Sequence, residues 1–248
     1  MADAPPTEPR VSLIVPVYNE GDQTTTCLDR IFDAVEVPCE VLVVYDTPDD
    51  TSAPFVERYP DDRARGLLNE IGPGPANAIR AGMAEASAPV VVVTMVDGSD
   101  DLTVVDHMVR LVERGFAVVA ASRYMPGGAQ VGGPFVKQAL SRLAGLILHY
   151  VARVGTKDAT NSFKAYSRDF LHEVGVSSSH GFEVALELVA KARRLRRPVS
   201  EVPTIWLDRT QGESRFQTVK WLPVYLRWFL FAFGPRLDVD RVRAASGD

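Results

Sequence analysis

The chain has 248 residues, a formal net charge of −5, 46% hydrophobic and 24% charged residues. That composition excludes a disordered polymer and leaves room for one large globular domain or two small ones. The acidic balance argues against a nucleic-acid binder, which needs a basic face, and the polar, Pro-rich start MADAPPTEPR lacks the apolar core of a secretory leader.

Residues 1–10 are expected to be disordered. VSLIVPVY (11–18) is a nearly continuous run of apolar β-formers, as in a strand buried on both faces. Asn19, Glu20, Gly21 and Asp22 break it, and Cys27, Leu28, Ile31, Phe32 and Val35 follow at helical spacing. EVLVVYD (40–46) reads as a second buried strand and LLNE (67–70) as a short third one. GPGPANAIRAGMAEA (72–86) is a glycine turn entering a helix. PVVVVTMVD (89–97) is the next strand, DLTVVDHMVRLVERG (101–115) an amphipathic helix, and FAVVAASR (116–123) a further strand. Strands alternating with helices predict a mostly parallel sheet covered on both faces, with ligands at the carboxyl ends of its strands. Asn19, Glu20, Asp46 and Asp97 stand at such ends.

Beyond residue 123 the pattern changes. YMPGGAQVGGP (124–134) is a Gly-rich loop, and residues 135–154 form a long helix with Val136, Leu140, Leu143, Ile147, Val151 and Val154 along one face. NSFKAYS (161–167) and VPTIWLD (202–208) are expected strands, and 181–197 is a helix with a basic last turn suited to its dipole. No repeat or long linker divides the chain. Cys27 and Cys39 sit in stretches that read as core, where reduced, buried thiols are expected. No window reaches the ~20 apolar residues of a membrane span; the nearest, WLPVYLRWFLFAFG (221–234), is interrupted by Pro223 and Arg227.

Three groups carry chemistry. Carboxylates at neighbouring strand ends can hold a divalent cation against a diphosphate. Asp97, first after its strand, is read as that ligand. Asp100 and Asp101 are read as the start of the next helix, where Asp is favoured, with Asp100 a candidate support behind Asp97. The glycine turn could bring backbone N–H groups to a phosphate, but its two prolines fit a rigid structural turn equally well, and it lacks the spacing of a dinucleotide-binding loop. Arg123, Lys137, Arg142, Arg209 and Arg215 form a basic set beyond the sheet half. Arginine suits bidentate phosphate binding, although for any single one of them solvated surface charge is the simpler reading.

VPVYNE (15–20), Asp46, the acidic turn 97–101, SRYMPGG (122–128), SRLAG (141–145), DATNSFKAYSRDFL (158–171), GFEVALEL (181–188) and EVPTIWLDRTQGESRF (201–216) occur in order. Together they resemble the family 2 glycosyltransferases, and within these the dolichol-phosphate mannose synthase and polyprenyl-phosphate group. The likeness runs from about Val11 to Phe216.

The resemblance implies an α/β fold of GT-A type, a single domain over 11–216 with a mostly parallel sheet covered by helices on both faces; the residues beyond it read as a C-terminal amphipathic helix over 217–235 and a polar tail over 236–248. It implies an inverting transfer of mannose or glucose from a nucleotide-diphosphate sugar (GDP-mannose or UDP-glucose) to a polyprenyl or dolichyl monophosphate, assisted by Mg2+ or Mn2+. By position, Pro16, Tyr18 and Glu20 would line the nucleoside pocket, and Asp46 would reach the base or ribose. Asp97 would hold the metal on the diphosphate. Arg123, Ser141, Arg142 and Arg209 would receive the acceptor phosphate, with Arg215 nearby. The pattern departs from the family at Met95, where an Asp is usual, at Ser99, where Gln is usual, and at Tyr45, where the Asp46 pair is incomplete.

The aromatic C-terminal stretch with Lys220 and Arg227 suits peripheral membrane contact through 219–234, on the cytoplasmic side, and no nucleic-acid partner is expected. Two other readings stand beside this one: a glycosyltransferase with a non-lipid acceptor, and a nucleotide-sugar binding protein with impaired turnover.

Overall fold

A computed structural model describes residues 8–208 and 218–245. In chain order the first half gives β1 (Val11–Pro16), α1 (Gln23–Ala34), β2 (Cys39–Tyr45), α2 (Ala53–Glu57), β3 (Ala64–Leu68), α3 (Pro75–Glu85) and β4 (Val90–Val93). A 3₁₀ turn over Leu102–Val104 leads into α4 (Val105–Glu113) and β5 (Val118–Ser122). The second half gives β6 (Ala129–Val131), α5 (Phe135–Ile147), a π turn over Leu148–Ala152, β7 (Lys164–Ser167), α6 (Arg168–Val174) and α7 (Val184–Leu195). It ends with β8 (Val199–Pro203), β9 (Ile205–Leu207), α8 (Thr218–Phe231) and α9 (Val239–Ala244).

The main sheet has seven strands in the order β3-β2-β1-β4-β7-β5-β8. All pairings are parallel except those of β7, which runs antiparallel between β4 and β5. The mostly parallel sheet expected from the alternating pattern is therefore present. Because successive side chains point to opposite faces, Ile14, Leu42, Val44, Val91 and Val93 pack on the side of α3 and α7. Leu13, Val15, Val41, Val43, Val90 and Val92 pack on the side of α1 and α4. Each such side chain contributes roughly 1.5–3 kcal/mol of burial, which is why continuous apolar runs, not alternating ones, build this layer.

Four elements differ from expectation, and each bears on the site. The strand expected to reach Asp97 stops at Val93, so residues 94–101 form a loop at the sheet's carboxyl edge. The strand expected over 202–208 bends at Thr204, whose N–H donates to the Ser122 carbonyl (3.2 Å). Beyond the bend β9 leaves the main sheet and pairs with β6 inside the Gly-rich loop. In the expected polar tail, Val239–Ala244 is helical and buries Val242.

The fourth difference is the face that α5 turns inward. Gly145, Leu148 and Ala152 are buried, while Val136, Leu140, Leu143 and Val151 are exposed. The cause is close backbone packing: a side chain at Gly145 would collide with the Lys157 carbonyl. The helix docks through Gly145 and leaves Val136, Leu140 and Leu143 of its apolar stripe outward, while Ile147 is half-buried and Val154, beyond the π turn, is buried.

Candidate functional site

The loop after β4 separates its three aspartates. Asp101 caps the following turn, its carboxylate accepting from the Thr103 N–H at 3.2 Å and the Thr103 hydroxyl at 2.6 Å. Asp100 does not cap. It is buried and folds back on the strand end, where its Oδ2 accepts from the Thr94 hydroxyl (2.9 Å) and the Met95 N–H (3.1 Å). Burial pushes its carboxyl up to about 6, with Asp97 adding to the rise and Arg123 opposing it. Asp97 remains half-exposed, its Oδ1 accepting from the Ser99 N–H at 3.0 Å. Gly98 takes φ 75°, where a side chain would also meet the Arg30 guanidinium.

Asp97 opens into a cleft of about 440 Å³ whose lining includes Asp22, Arg30 and Asp208. Asp208 arrives from the other half of the chain because the Leu207 N–H donates to the Ser99 carbonyl (3.1 Å), tying the end of β9 to the acidic loop. Asp22, Asp97 and Asp208 therefore line this cleft, with Arg30 as the positively charged residue of the lining. Such hard oxygen donors fit Mg2+ or Mn2+, which binds through one or two carboxylates and completes its shell with substrate phosphates. Among the described residues no cluster of three or more ligating side chains forms an all-protein metal cage.

On the far side of β1, Pro16 ends the strand and Tyr18 projects into solvent. Asn19 adopts φ 56° and its N–H donates to Asp50 (3.0 Å), while the Glu20 N–H donates to the Ser52 hydroxyl (3.1 Å). The loop carrying Tyr18 and Glu20 is thus fastened to the loop after β2. Asp46 accepts from the Asn69 side-chain amide (2.7 Å) and from the Gly74 N–H (2.8 Å). The glycine turn is thereby closed on Asp46. Each carboxylate oxygen retains a second lone-pair direction for a ligand.

Arg123, the first of the residues expected to receive the acceptor phosphate, directly follows β5. Its guanidinium pairs with Asp158 through Nε (2.7 Å) and Nη2 (2.9 Å), and Nη2 also reaches the Ser141 hydroxyl at 3.4 Å. Ser141 in turn meets the Thr160 hydroxyl (2.8 Å) and that of Tyr124 (3.2 Å). Arg142, the next residue on α5, is exposed. Arg209 and Arg215 lie outside the described residues.

Lys164 sits beneath this group, fully buried on β7 between Val93 and Ala120, its ammonium donating to the Asn161 carbonyl. Burial drives it down to about 7, while Asp158 and Asp100 favour its charge and Arg123 opposes it. Asp158, Thr160, Tyr124, Asp208, Arg30 and Lys164 were given no role by the sequence. Asp158 and Lys164 lie inside DATNSFKAYS, and an acid plus a lysine in a stretch reading as a buried strand was the available signal. The acids of GFEVALEL are structural: Glu183 accepts from the His180 and Gly181 N–H groups, and Glu187 accepts from Ser177 and Ser178 while pairing with Lys191 (2.6 Å).

Residues 12–175 match the family described as glycosyl transferase family 2. The chain belongs to that family. It is 28% identical over 244 residues to a dolichol-phosphate mannosyltransferase of Pyrococcus furiosus, covering 94% of this chain and 66% of that protein. It is 29% identical over 216 residues to an undecaprenyl-phosphate mannosyltransferase of Micrococcus luteus, covering 83% and 87%. Among solved structures, glucosyl-3-phosphoglycerate synthase from Mycobacterium tuberculosis, in complex with Mn2+, UDP and phosphoglyceric acid, superposes with a TM-score of 0.65 at 17% identity. That alignment covers 93% of this chain and 80% of the other, and it places this glycosyltransferase in the GT-A-like fold.

Proposed function

We propose that this family 2 glycosyltransferase moves a hexose from a nucleotide-diphosphate sugar to a polyprenyl monophosphate. The observation that carries the acceptor assignment is the position of a cluster of arginine and hydroxyl donors beside an apolar surface. Arg123, Ser141 and Tyr124 meet at the inner side of α5, Arg142 follows on its surface, and the same helix exposes Val136, Leu140 and Leu143. A lipid phosphate offers that combination of anionic head and apolar tail. The similarity to dolichol-phosphate and undecaprenyl-phosphate mannosyltransferases and to a polyprenol monophosphomannose synthase supports the same reading.

The donor lies in the cleft of Asp97, with Pro16, Tyr18, Glu20 and Asp46 on its nucleoside side. Asp97, with Asp208 across the cleft, would hold Mg2+ or Mn2+, which when bound offsets charge on the nucleoside-diphosphate leaving group. Arg123, locked by Asp158, and Arg142 with Arg209 and Arg215 grip the acceptor phosphate by charge-assisted hydrogen bonds. An oxygen of that phosphate attacks the anomeric carbon. The bond from that carbon to the diphosphate breaks, its electron pair leaves with the diphosphate oxygen, and the centre inverts. The phosphate's second pKa is about 6, so no general base is required, and alignment of the two substrates is the main contribution.

The stretch 219–234 supplies a second route to the lipid: α8 packs Trp228 inward, with its indole N–H on the Ser178 hydroxyl (3.0 Å), and exposes Leu222, Leu226 and Leu230. No helix among the described residues is long and apolar enough to cross a membrane, which suits peripheral contact from the cytoplasmic side. One observation favours a second reading, a soluble phosphorylated acceptor: the superposing synthase structures hold phosphoglyceric acid. Incubation with GDP-mannose or UDP-glucose, Mn2+ and either undecaprenyl phosphate or 3-phosphoglycerate separates the two. Glycolipid formation supports the first, and transfer to phosphoglycerate alone overturns it.

A further inference from the structure

The opposite edge of the sheet carries a second cleft, of about 370 Å³, with four arginines in its lining: Arg153, Arg193, Arg196 and Arg197. Its wall includes Val199, the first residue of β8, whereas Arg123 follows the far end of the neighbouring β5. One strand length, about 13 Å at ~3.3 Å per residue, therefore separates it from the glycosyl-transfer site.

Two of the four arginines have structural work. Arg193 donates through Nε to the Ala152 carbonyl, binding the end of the π turn to α7. Arg197 pairs with Glu173, its Nε at 3.0 Å from the carboxylate. Arginines near helix ends commonly serve exposed carbonyls in this way, and that role would be the ordinary explanation for the other two as well.

It does not apply to Arg153 and Arg196. Neither side chain makes a hydrogen bond or ion pair among the described residues, and both are exposed. Each also closes a helical segment in the left-handed conformation, at φ 60° and φ 58°. That position favours glycine and penalises any residue with a side chain. Two unfavourable backbone positions thus hold two uncompensated guanidinium groups over one cleft, in a chain whose net charge is −5. The planar fork of arginine matches phosphate oxygens.

We propose that this cleft binds a phosphate-bearing anion, gripped by Arg153 and Arg196. The chemistry is the same for a soluble phosphate and for a lipid headgroup. Exposed Tyr150 and Val151, three and two residues before Arg153, offer an apolar surface to the lipid of such a headgroup.

The double variant Arg153→Gly/Arg196→Gly tests this, because glycine suits both backbone positions. Melting temperature is measured without ligand. Binding is measured by calorimetry with sodium pyrophosphate, and by co-sedimentation with phosphatidylglycerol vesicles against phosphatidylcholine vesicles. The expected result is an unchanged or higher melting temperature with at least a tenfold loss of binding in one arm. Loss for pyrophosphate identifies a soluble anion, and loss for phosphatidylglycerol vesicles alone identifies a headgroup. A melting temperature lowered by several degrees would make the arginines structural and overturn the proposal. Equal binding by variant and parent, or no binding by the parent in either arm, would overturn it too. The outcome does not depend on which sugar or acceptor the other site takes.

Discussion

Asp158 holds Arg123 at three points: Nε at 2.7 Å and Nη2 at 2.9 Å on the side chain, and the backbone N–H at 3.0 Å. The carboxylate is fully buried and the guanidinium nearly so. A bidentate pair of this kind fixes the guanidinium in one plane, leaving Nη2 aimed at Ser141. Breaking a buried pair by removing one partner costs about 3–5 kcal/mol. Asp158→Asn is expected to lose about that much in urea unfolding and to raise the KM for the acceptor far more than that for the donor. A donor-side defect of equal size would contradict the assignment.

Asp97 is half-exposed at the cleft, so its carboxylate is expected to matter more for turnover than for folding. Asp97→Asn should lower kcat/KM by about 10²–10³-fold, the usual loss when one electrostatic element of a site is removed. The melting temperature should stay within a few degrees, and the Mn2+ dependence of the rate should vanish. Met95→Asp should tighten Mn2+ binding by restoring a second acid near Asp97, which a metal titration by calorimetry reads directly.

The two remaining acids of that loop separate by pH. Asp100 has its folded pKa raised to about 6 from an ordinary 3.8. Between those values the folded state binds more proton than the unfolded state, so stability falls as pH rises through that window. Asp100→Asn should remove this fall and leave the variant more stable than the parent above pH ~6. Asp101→Ala should cost about 1 kcal/mol for a lost cap with that pH dependence intact. Urea midpoints at several pH values measure both.

Lys164 should give the opposite slope. Its folded pKa, about 7, lies below the ordinary 10.5. The buried charge therefore destabilises the fold fully below about pH 7, and stability recovers as pH rises toward 10.5. Lys164→Met should flatten that rise. An unchanged slope would show that the ammonium is not the group responsible.

The outward stripe of α5 predicts a change in substrate use without a change in folding. Leu140 and Leu143 are 58% and 56% exposed, so a double substitution to Ser should leave stability within ~0.5 kcal/mol. Transfer to a long polyprenyl phosphate should fall relative to transfer to a short-chain analogue, measured as a ratio of kcat/KM values.

The strands of the first half were legible because a layer buried on both faces needs uninterrupted apolar β-formers, and VSLIVP, EVLVVY and VVVV are such runs. The inward face of α5 was not. Hydrophobic periodicity points to the bulky stripe, whereas close packing on the Lys157 carbonyl selects the Gly145 face. The reversed direction of β7 was equally hidden, since a period of two is the same in either direction. Asp97 and Arg123 could be picked out by residue type and motif order. Asp158 and Lys164 could not be given work, because their value arises from partners that only folding brings near.

That reversed strand also governs when the protein can fold. Among the described residues β7 is the strand that joins β4 to β5, so the two halves of the sheet are joined in one ladder only once Lys164–Ser167 is inserted. During synthesis the edge of β4 must wait while residues 94–163 are made, roughly several seconds at ~5–20 residues per second. Through that interval VVVV is an unpaired apolar edge, open to association with other chains. A nascent chain halted between β5 and β7 would expose the strand on which the acidic loop is later built.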